Sequence, residues 1–227
     1  MSTEFLSMLQ LADSFFPAGT YTMSNGLEAL SKRKKMGAGE LQVLVRTHLE
    51  RQAGPADCCA LGAAYESAKA GDIEGAIRAD WALYAVKLVE EVRNASARSG
   101  ANLVRCVAAF SNDRMLAEYA KAVSDKRAAG MYPVALGVAC AALEIPKHEA
   151  GVMFLYSFCV GMAGAALRLG IIDHVAAQKI LHELRPAITA TVQENVDKPI
   201  DQMWQFAPGI DVTQIEHERL DSKMFIT

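Results

Sequence analysis

Aromatic side chains are scarce in this sequence, at 7% of 227 residues, although 52% of the residues are hydrophobic. The strands of a β-sandwich favour aromatic and β-branched residues, whereas closely packed helices use small and unbranched ones. The composition therefore predicts an all-α fold with central buried helices. No linker or shift in composition divides the chain, so we expect a single compact helical domain over residues 1–227.

An excess of positive charge is also missing, because the formal net charge is −3. Nucleic-acid backbones are bound by basic surfaces, so we expect no nucleic-acid partner. The first residues lack the basic start and uninterrupted apolar core of a secretory signal. The five cysteines are odd in number and lie mostly in apolar runs, which is typical of a reducing compartment. These features together predict a cytoplasmic protein.

Motifs for nucleotide chemistry or nucleophilic catalysis are not found in the sequence. The five histidines are scattered, and Cys58 and Cys59 are adjacent rather than spaced to share one zinc ion. On a continued helix His217 and Asp221 would lie on the same face, which makes His217 a weak metal-ligand candidate. We therefore predict no enzyme activity. The alternative is a helical metal-binding enzyme that uses His217, Asp221 and another histidine.

Residues 150–167 form a long run without a charged side chain. Such a run belongs either in a protein core or in a membrane, and the charged flanks and the four polar or glycine positions inside it favour a buried central helix. We therefore expect no membrane partner. Within this helix Ser157, Gly161 and Ala165 are four apart, a spacing that favours close helix packing inside one subunit over a dimer seam.

Apolar periodicity and helix-breaking residues place the remaining helices. Gly54 and Pro55 are expected to end one helix, and a long amphipathic helix is expected to begin at Asp72 and to pass Val92, with a bend or an interruption near Ser99 and Gly100. The predicted helices cover 40–52, 56–70, 72 onwards, 113–126, 131–143, 146–169, 173–192 and 213–220.

The opening stretch from Leu9 to Leu30 reads as two helices joined by a hinge at Pro17 and Gly19. Asn25 and Glu28 have the spacing of a capping box, in which each side chain bonds the other residue's amide. The hinge carries the aromatic residues Phe15, Phe16 and Tyr21. Loop aromatics either enter the core or meet a partner, and the first is the more common case.

Several segments of this sequence resemble the UreF family of urease accessory proteins. The first is Leu-Gln-Leu-Ala-Asp-Ser-x-x-Pro-x-Gly-x-x-x-x-Ser-x-Gly-Leu-Glu over residues 9–28. Further similar segments follow in order: Arg93-x-x-Ser96-x-x-x-Gly100, Tyr132-Pro133-Val134 with Gly137 and 141–143, 155–158 leading to 166–170, 178–181, and the ending His217-Glu218 through Ser222-Lys223-Met224-Phe225. The resemblance covers essentially the whole chain.

The resemblance implies an all-helical, non-enzymatic homodimer that bridges the accessory protein UreD (also called UreH) and the GTPase UreG. The assembly docks on apo-urease and supports GTP-dependent nickel insertion. It further implies no cofactor of the protein's own, since nickel and GTP are handled by its partners. A direct nickel chaperone that binds through His217 is the remaining alternative.

The resemblance also implies a partner-binding site. Tyr21 and Lys223 match positions that the family uses to order the C-terminal tail and recruit UreG, so we expect Tyr21 to hold the tail through Lys223 or its neighbours. Phe15, Phe16, Met224 and Phe225 complete the predicted surface, although Phe15 and Phe16 are favoured as core anchors.

Some positions depart from the family pattern. Lys223 stands where arginine is usual, and lysine lacks arginine's planar, bidentate contacts. Asp221 stands where an aromatic residue is frequent. Met23 and Met131 replace common histidines, so we expect no nickel ligand at either position.

Overall fold

The computed structural model describes residues 3–227, so the first two residues of the predicted domain lie outside it. Within that range the chain forms helices and turns and no strand, which confirms the all-α prediction. The helices are α1 (Thr3–Ala12), α2 (Leu27–Arg33), α3 (Ala38–His48), α4 (Cys59–Ala70), α5 (Ile73–Val86), α6 (Glu90–Ala108), α7 (Arg114–Ser124), α8 (Tyr132–Ala142), α9 (Lys147–Arg168), α10 (His174–Asn195) and α11 (Pro208–Glu218). Short 3-10 turns cover Thr20–Thr22 and Ile200–Gln202, and a π-helical segment covers Leu49–Cys58.

The centre of the core is α8, which is buried from Pro133 to Ala141 and lies between α4 and α6. Gly137 permits the closest of these approaches, since a Cβ atom there would lie 2.4 Å from the Leu61 carbonyl oxygen. α9 packs against α10 and covers another side of α8. The expected buried central helices are therefore present.

The predicted break at Gly54 and Pro55 is wrong. α3 runs without interruption into the π-helical segment, which holds both residues and continues as α4. Gly54 is required here because a Cβ atom would lie 2.3 Å from Thr191 Cγ2. A π-helical turn is rare and is often found at functional sites, and this one carries buried Gln52 and Asp57.

The long helix expected from Asp72 past Val92 is two helices in the structure. α5 ends at Val86, and the linker places Lys87 inside the protein, where its ammonium lies 2.6 Å from the Asp57 carboxylate. Arg93 stabilises the linker because its Nη1 donates to the carbonyl oxygens of Lys87 and Leu88 at 2.6 and 2.9 Å. The helix is not interrupted at Ser99 and Gly100, since α6 is continuous over both residues.

α9 is long and apolar enough to cross a bilayer by length and composition, and it is the one such helix among residues 3–227. More than half of its most apolar window is buried within the fold. Its other face is open: Val152, Tyr156 and Val160 are about 40% exposed, and a Cβ atom at Gly164 would meet nothing within 4 Å. Of the small residues expected to pack inside one subunit, Ala165 is buried, whereas Gly161 lines a pocket beside Phe154 and Phe158 and has no close neighbour.

Candidate functional site

The C-terminal tail, residues 219–227, is held against the hinge by the carboxylate of Glu28. Its oxygens accept hydrogen bonds from the backbone amides of Met224, at 3.0 and 3.1 Å, and Phe225, at 3.1 Å. Glu28 is buried, with 3% of its surface exposed. Burial raises the pKa of Glu28, but the hydrogen bonds from Met224, His217 and Phe225 outweigh it, so the pKa lies below 4.5.

The predicted capping box between Asn25 and Glu28 is therefore wrong. α2 begins at Leu27, and Gly26, with φ of 86°, is its N-cap. The amide of Glu28 instead bonds the hydroxyl of Ser24 at 3.3 Å. The Glu28 side chain makes no local capping bond and binds the C-terminal tail instead.

The hinge and the tail are also joined through their backbones. The amide of Ser24 donates to the main-chain oxygen of Thr227 at 2.8 Å, and the Ser24 hydroxyl bonds the same oxygen. The amide of Ile226 donates to the carbonyl oxygen of Thr22 at 2.8 Å. Because Phe225 and Thr227 are buried, the tail is part of the folded domain.

His217 is fully buried between two carboxylates. Its Nε2 lies 3.2 Å from Glu28 Oε2, and its Nδ1 lies 2.7 Å from Glu91 Oε2. Each ring nitrogen therefore faces one carboxylate. His217 thus ties α11 to α2 and α6.

The proposed metal pair of His217 and Asp221 is not formed. α11 ends at Glu218, so Asp221 does not share a helical face with His217, and Asp221 is exposed. Nowhere in residues 3–227 do three histidine, cysteine, aspartate or glutamate side chains form a group that could hold a metal ion. The helix predicted over 213–220 runs instead from Pro208 to Glu218.

Lys223 contacts Glu91, and the tail reaches Tyr21 by another route. The ammonium of Lys223 lies 2.8 Å from Glu91 Oε1 and 3.0 Å from the carbonyl oxygen of Glu218. Glu91 therefore bridges Lys223 and His217. We expected Tyr21 to hold the tail through Lys223 or its neighbours, and in the structure the neighbour Phe225, two positions later, is the residue linked to Tyr21.

Arg168, at the end of α9, makes that link. Its guanidinium carbon lies 4.0 Å from the centre of the Tyr21 ring and 4.3 Å from the centre of the Phe225 ring. Its Nη2 also donates to the carbonyl oxygen of Tyr21 at 2.7 Å. Cations over aromatic faces are attracted by the ring electrons, so Arg168 joins the hinge to the tail. Residue spacing gave no signal for this role.

Around this link the structure leaves apolar surface in solvent. Tyr21 is 54% exposed, Met224 61% and Phe15 93%. Phe15 as a core anchor is therefore wrong, whereas Phe16 packs on the core. We define the tail platform as Tyr21, Arg168 and residues 223–225. Phe15 precedes Tyr21 by six residues in the sequence. Large exposed apolar groups on an ordered frame are typical of protein-binding surfaces.

Fold and site define an all-helical protein with a latched C-terminal tail and an exposed apolar surface. A family model described as UreF matches residues 36–185. The chain is 33% identical over 228 residues to the urease accessory protein UreF of Trichodesmium erythraeum, with 98% of this chain and 97% of that protein covered. It is 32% identical to urease accessory protein UreF of Photorhabdus laumondii, over 97% and 96% of the two chains. It is also 32% identical to urease accessory protein UreF 1 of Brucella melitensis, over 97% and 92%. The chain belongs to the UreF family of urease accessory proteins.

Proposed function

We propose that this protein is a non-enzymatic scaffold that bridges UreD/UreH and the GTPase UreG and supports GTP-dependent nickel insertion into apo-urease. Family membership supports the role in urease maturation. The observation that carries the scaffold role is the tail platform, where buried hydrogen bonds hold an exposed apolar surface in one shape. In this proposal nickel and GTP are bound by the partners, and the protein needs no cofactor of its own.

We assign UreG recruitment to the tail platform. Glu28 and Arg168 both contact the tail, and Tyr21 and Met224 supply side chains to the partner. A surface that is already ordered loses little conformational entropy on binding, which favours affinity. Phe15 is a further proposed contact, by virtue of its exposure.

We further propose a homodimer that works in the cytoplasm. The outer face of α9 supports self-association, because it is uncharged and combines Tyr156 and Val160 with the open backbone at Gly164. Projecting side chains of one copy can enter the gap that Gly164 of the other copy leaves. All five cysteines are free, which fits a reducing compartment.

Co-elution with purified UreG tests the assignment. Deletion of residues 222–227 is expected to abolish co-elution of the full complex while circular dichroism retains the helical signal. Met224→Ser is the matched control, because it removes an exposed side chain and leaves the Glu28 hydrogen bond to the backbone amide. We expect it to weaken binding without releasing the tail. Undiminished co-elution of the deleted protein would refute UreG recruitment by the tail.

A further inference from the structure

Most sulfur-containing side chains of this protein are shielded from solvent, and Met224 is the exception. Among the methionines of residues 3–227 it is the one that is exposed, with 61% of its surface in solvent. The other methionines in this range are buried or half-buried, and most of them pack in or against the core: Met8, Met36, Met131, Met153, Met162 and Met203. The thioether of Met224 is therefore the one most open to an oxidant in solution.

The contacts of the tail keep the Met224 side chain in solvent. Its backbone amide donates to both carboxylate oxygens of Glu28, at 3.0 and 3.1 Å. The next residue, Phe225, is buried, and the ammonium of the preceding residue, Lys223, lies 2.8 Å from Glu91. Because both neighbours are fixed, the thioether cannot withdraw into the fold without breaking these contacts.

The cysteines compete only weakly for an oxidant, because the thiolate is the reactive form of cysteine. Four of the five cysteines are buried: Cys58, Cys59, Cys140 and Cys159. Burial raises the pKa of all four thiols, that of Cys159 to about 12, so they stay protonated near pH 7. Cys106, on α6, is half-buried, and replacing it by serine removes it as a competitor. A thioether has no proton to lose, so its oxidation depends on exposure.

We propose that Met224 is an oxidation site through which a peroxide weakens UreG recruitment by the tail platform. Hydrogen peroxide or an alkyl hydroperoxide transfers one oxygen atom to the sulfur. An S–O bond forms, the O–O bond breaks, and the remaining oxygen leaves as water or as an alcohol. The sulfur loses the two electrons that the peroxide gains. The consequence for UreG rests on the function proposed above, whereas the oxidation site itself does not.

Oxidation at this position changes the surface and leaves the tail in place. Glu28 binds the backbone amides of Met224 and Phe225, and an oxygen on the sulfur alters neither amide. Methionine sulfoxide is polar where the thioether is apolar, and its oxygen loses hydrogen bonds to water when an apolar partner surface covers it. Methionine sulfoxide reductases restore the thioether, so the change is reversible.

Peptide mass spectrometry after limited treatment with hydrogen peroxide tests the site. The full-length protein carries Cys106→Ser, and the oxidation rates in denaturing urea are the reference, because every methionine is then exposed. In the folded protein Met224 is expected to react close to its rate in urea, and half-buried Met36 and Met203 roughly tenfold more slowly than in urea. Equal protection of all three methionines would overturn the site.

Co-elution with purified UreG tests the consequence. The protein is oxidised and freed of peroxide before UreG is added. Binding is expected to weaken roughly tenfold, while hydrogen exchange over residues 222–227 stays slow. Met224→Leu keeps an apolar side chain without sulfur, so peroxide is expected not to change the affinity of this variant. Met36→Leu is the matched control, and peroxide is expected to weaken its binding as it weakens that of the Cys106→Ser protein.

The outcomes separate the switch from UreG recruitment. An equal loss of binding in peroxide-treated Met224→Leu, or selective oxidation of Met224 without any loss, would overturn the switch. Failure of the untreated protein to bind UreG would refute recruitment and with it the consequence of oxidation. The oxidation rates would still confirm or refute the site.

Discussion

Glu28 and Phe225 are 197 residues apart, and the carboxylate of one accepts a hydrogen bond from the backbone amide of the other at 3.1 Å. A backbone amide is present whatever the side chain at that position. Glu28 therefore holds the backbone of the tail and does not depend on the side chains there. The Met224 side chain is free to contact a partner, and the Lys223 side chain contacts a second carboxylate, that of Glu91.

Replacing Glu28 by alanine is expected to release the tail. The change leaves the amides of Met224 and Phe225 without their acceptor and removes one partner of buried His217. Each unsatisfied buried donor costs about 1–3 kcal/mol, so we expect local opening rather than retention of the latch. Hydrogen exchange over 222–227 is expected to accelerate at least tenfold. Glu183→Ala, at an exposed position of α10, is the control. Equal protection of residues 222–227 in both variants would show that Glu28 does not hold the tail.

The second prediction concerns Arg168. Arg168→Met keeps the length of the side chain but removes the charge between the Tyr21 and Phe225 rings and the hydrogen bond to the Tyr21 carbonyl oxygen. We expect a loss of about 1–2 kcal/mol in the local stability of the hinge and tail, measured by hydrogen exchange at both segments. The local stability of Arg168→Lys is expected to lie between that of the unchanged protein and that of Arg168→Met, since lysine retains the charge but not the planar stack. A change at the tail with none at the hinge would contradict a shared link.

Lys223 is expected to matter less than the glutamate it contacts. Its side chain is 28% exposed, so the ion pair with Glu91 is partly screened, and Lys223→Met should cost less than about 1 kcal/mol. Glu91→Leu also deprives buried His217 of a partner and should cost about 2 kcal/mol or more. Denaturant titration of the two single variants makes the comparison. Equal losses would mean that Lys223 contributes as much to stability as Glu91 does, which would contradict the prediction.

Much of the fold was predictable because local chemistry decides it. α7, α8 and α9 begin within one residue of the predicted starts at 113, 131 and 146, since capping and the missing proline donor act within one turn. The junctions near residue 54 and residue 87 were not predictable in this way. There the contacts of Gly54 with Thr191, and of Lys87 with Asp57, come from distant parts of the chain and override the local signals.

The candidate site was predictable only in outline. The resemblance placed Tyr21 and residues 223–225 on it, but Glu28 was assigned to a local cap because its spacing from Asn25 fits one. Arg168 lies 147 residues from Tyr21, and although it stands in the family-like segment 166–170, nothing in that segment indicates which residues it contacts. Long-range pairs of this kind appear only when the fold brings their elements together.

Gly164 tests the proposed dimer. A Cβ atom at this position meets nothing within 4 Å, so Gly164→Leu is expected to leave the subunit folded while blocking a close approach of two α9 helices. Sedimentation at tens of micromolar is expected to show a dimer for the unchanged protein and a monomer for the variant. Gly39→Leu is the matched control, because a Cβ atom there also meets open space on another helix. A dimer in both variants would move the interface away from α9.

Acid is expected to destabilise the protein partly through His48. Its pKa of about 4 in the folded state lies below the ordinary 6.5, and burial is the main cause. The unfolded chain therefore takes up a proton between pH 6.5 and 4 that the folded protein does not, so the free energy of unfolding falls as the pH falls through that window. The full shift corresponds to about 3 kcal/mol, reached near pH 4. Denaturant titrations from pH 7 to pH 4 measure the slope, and His48→Gln should flatten it, since the other histidines are common to both proteins. An unchanged slope would mean that His48 is already protonated in the fold.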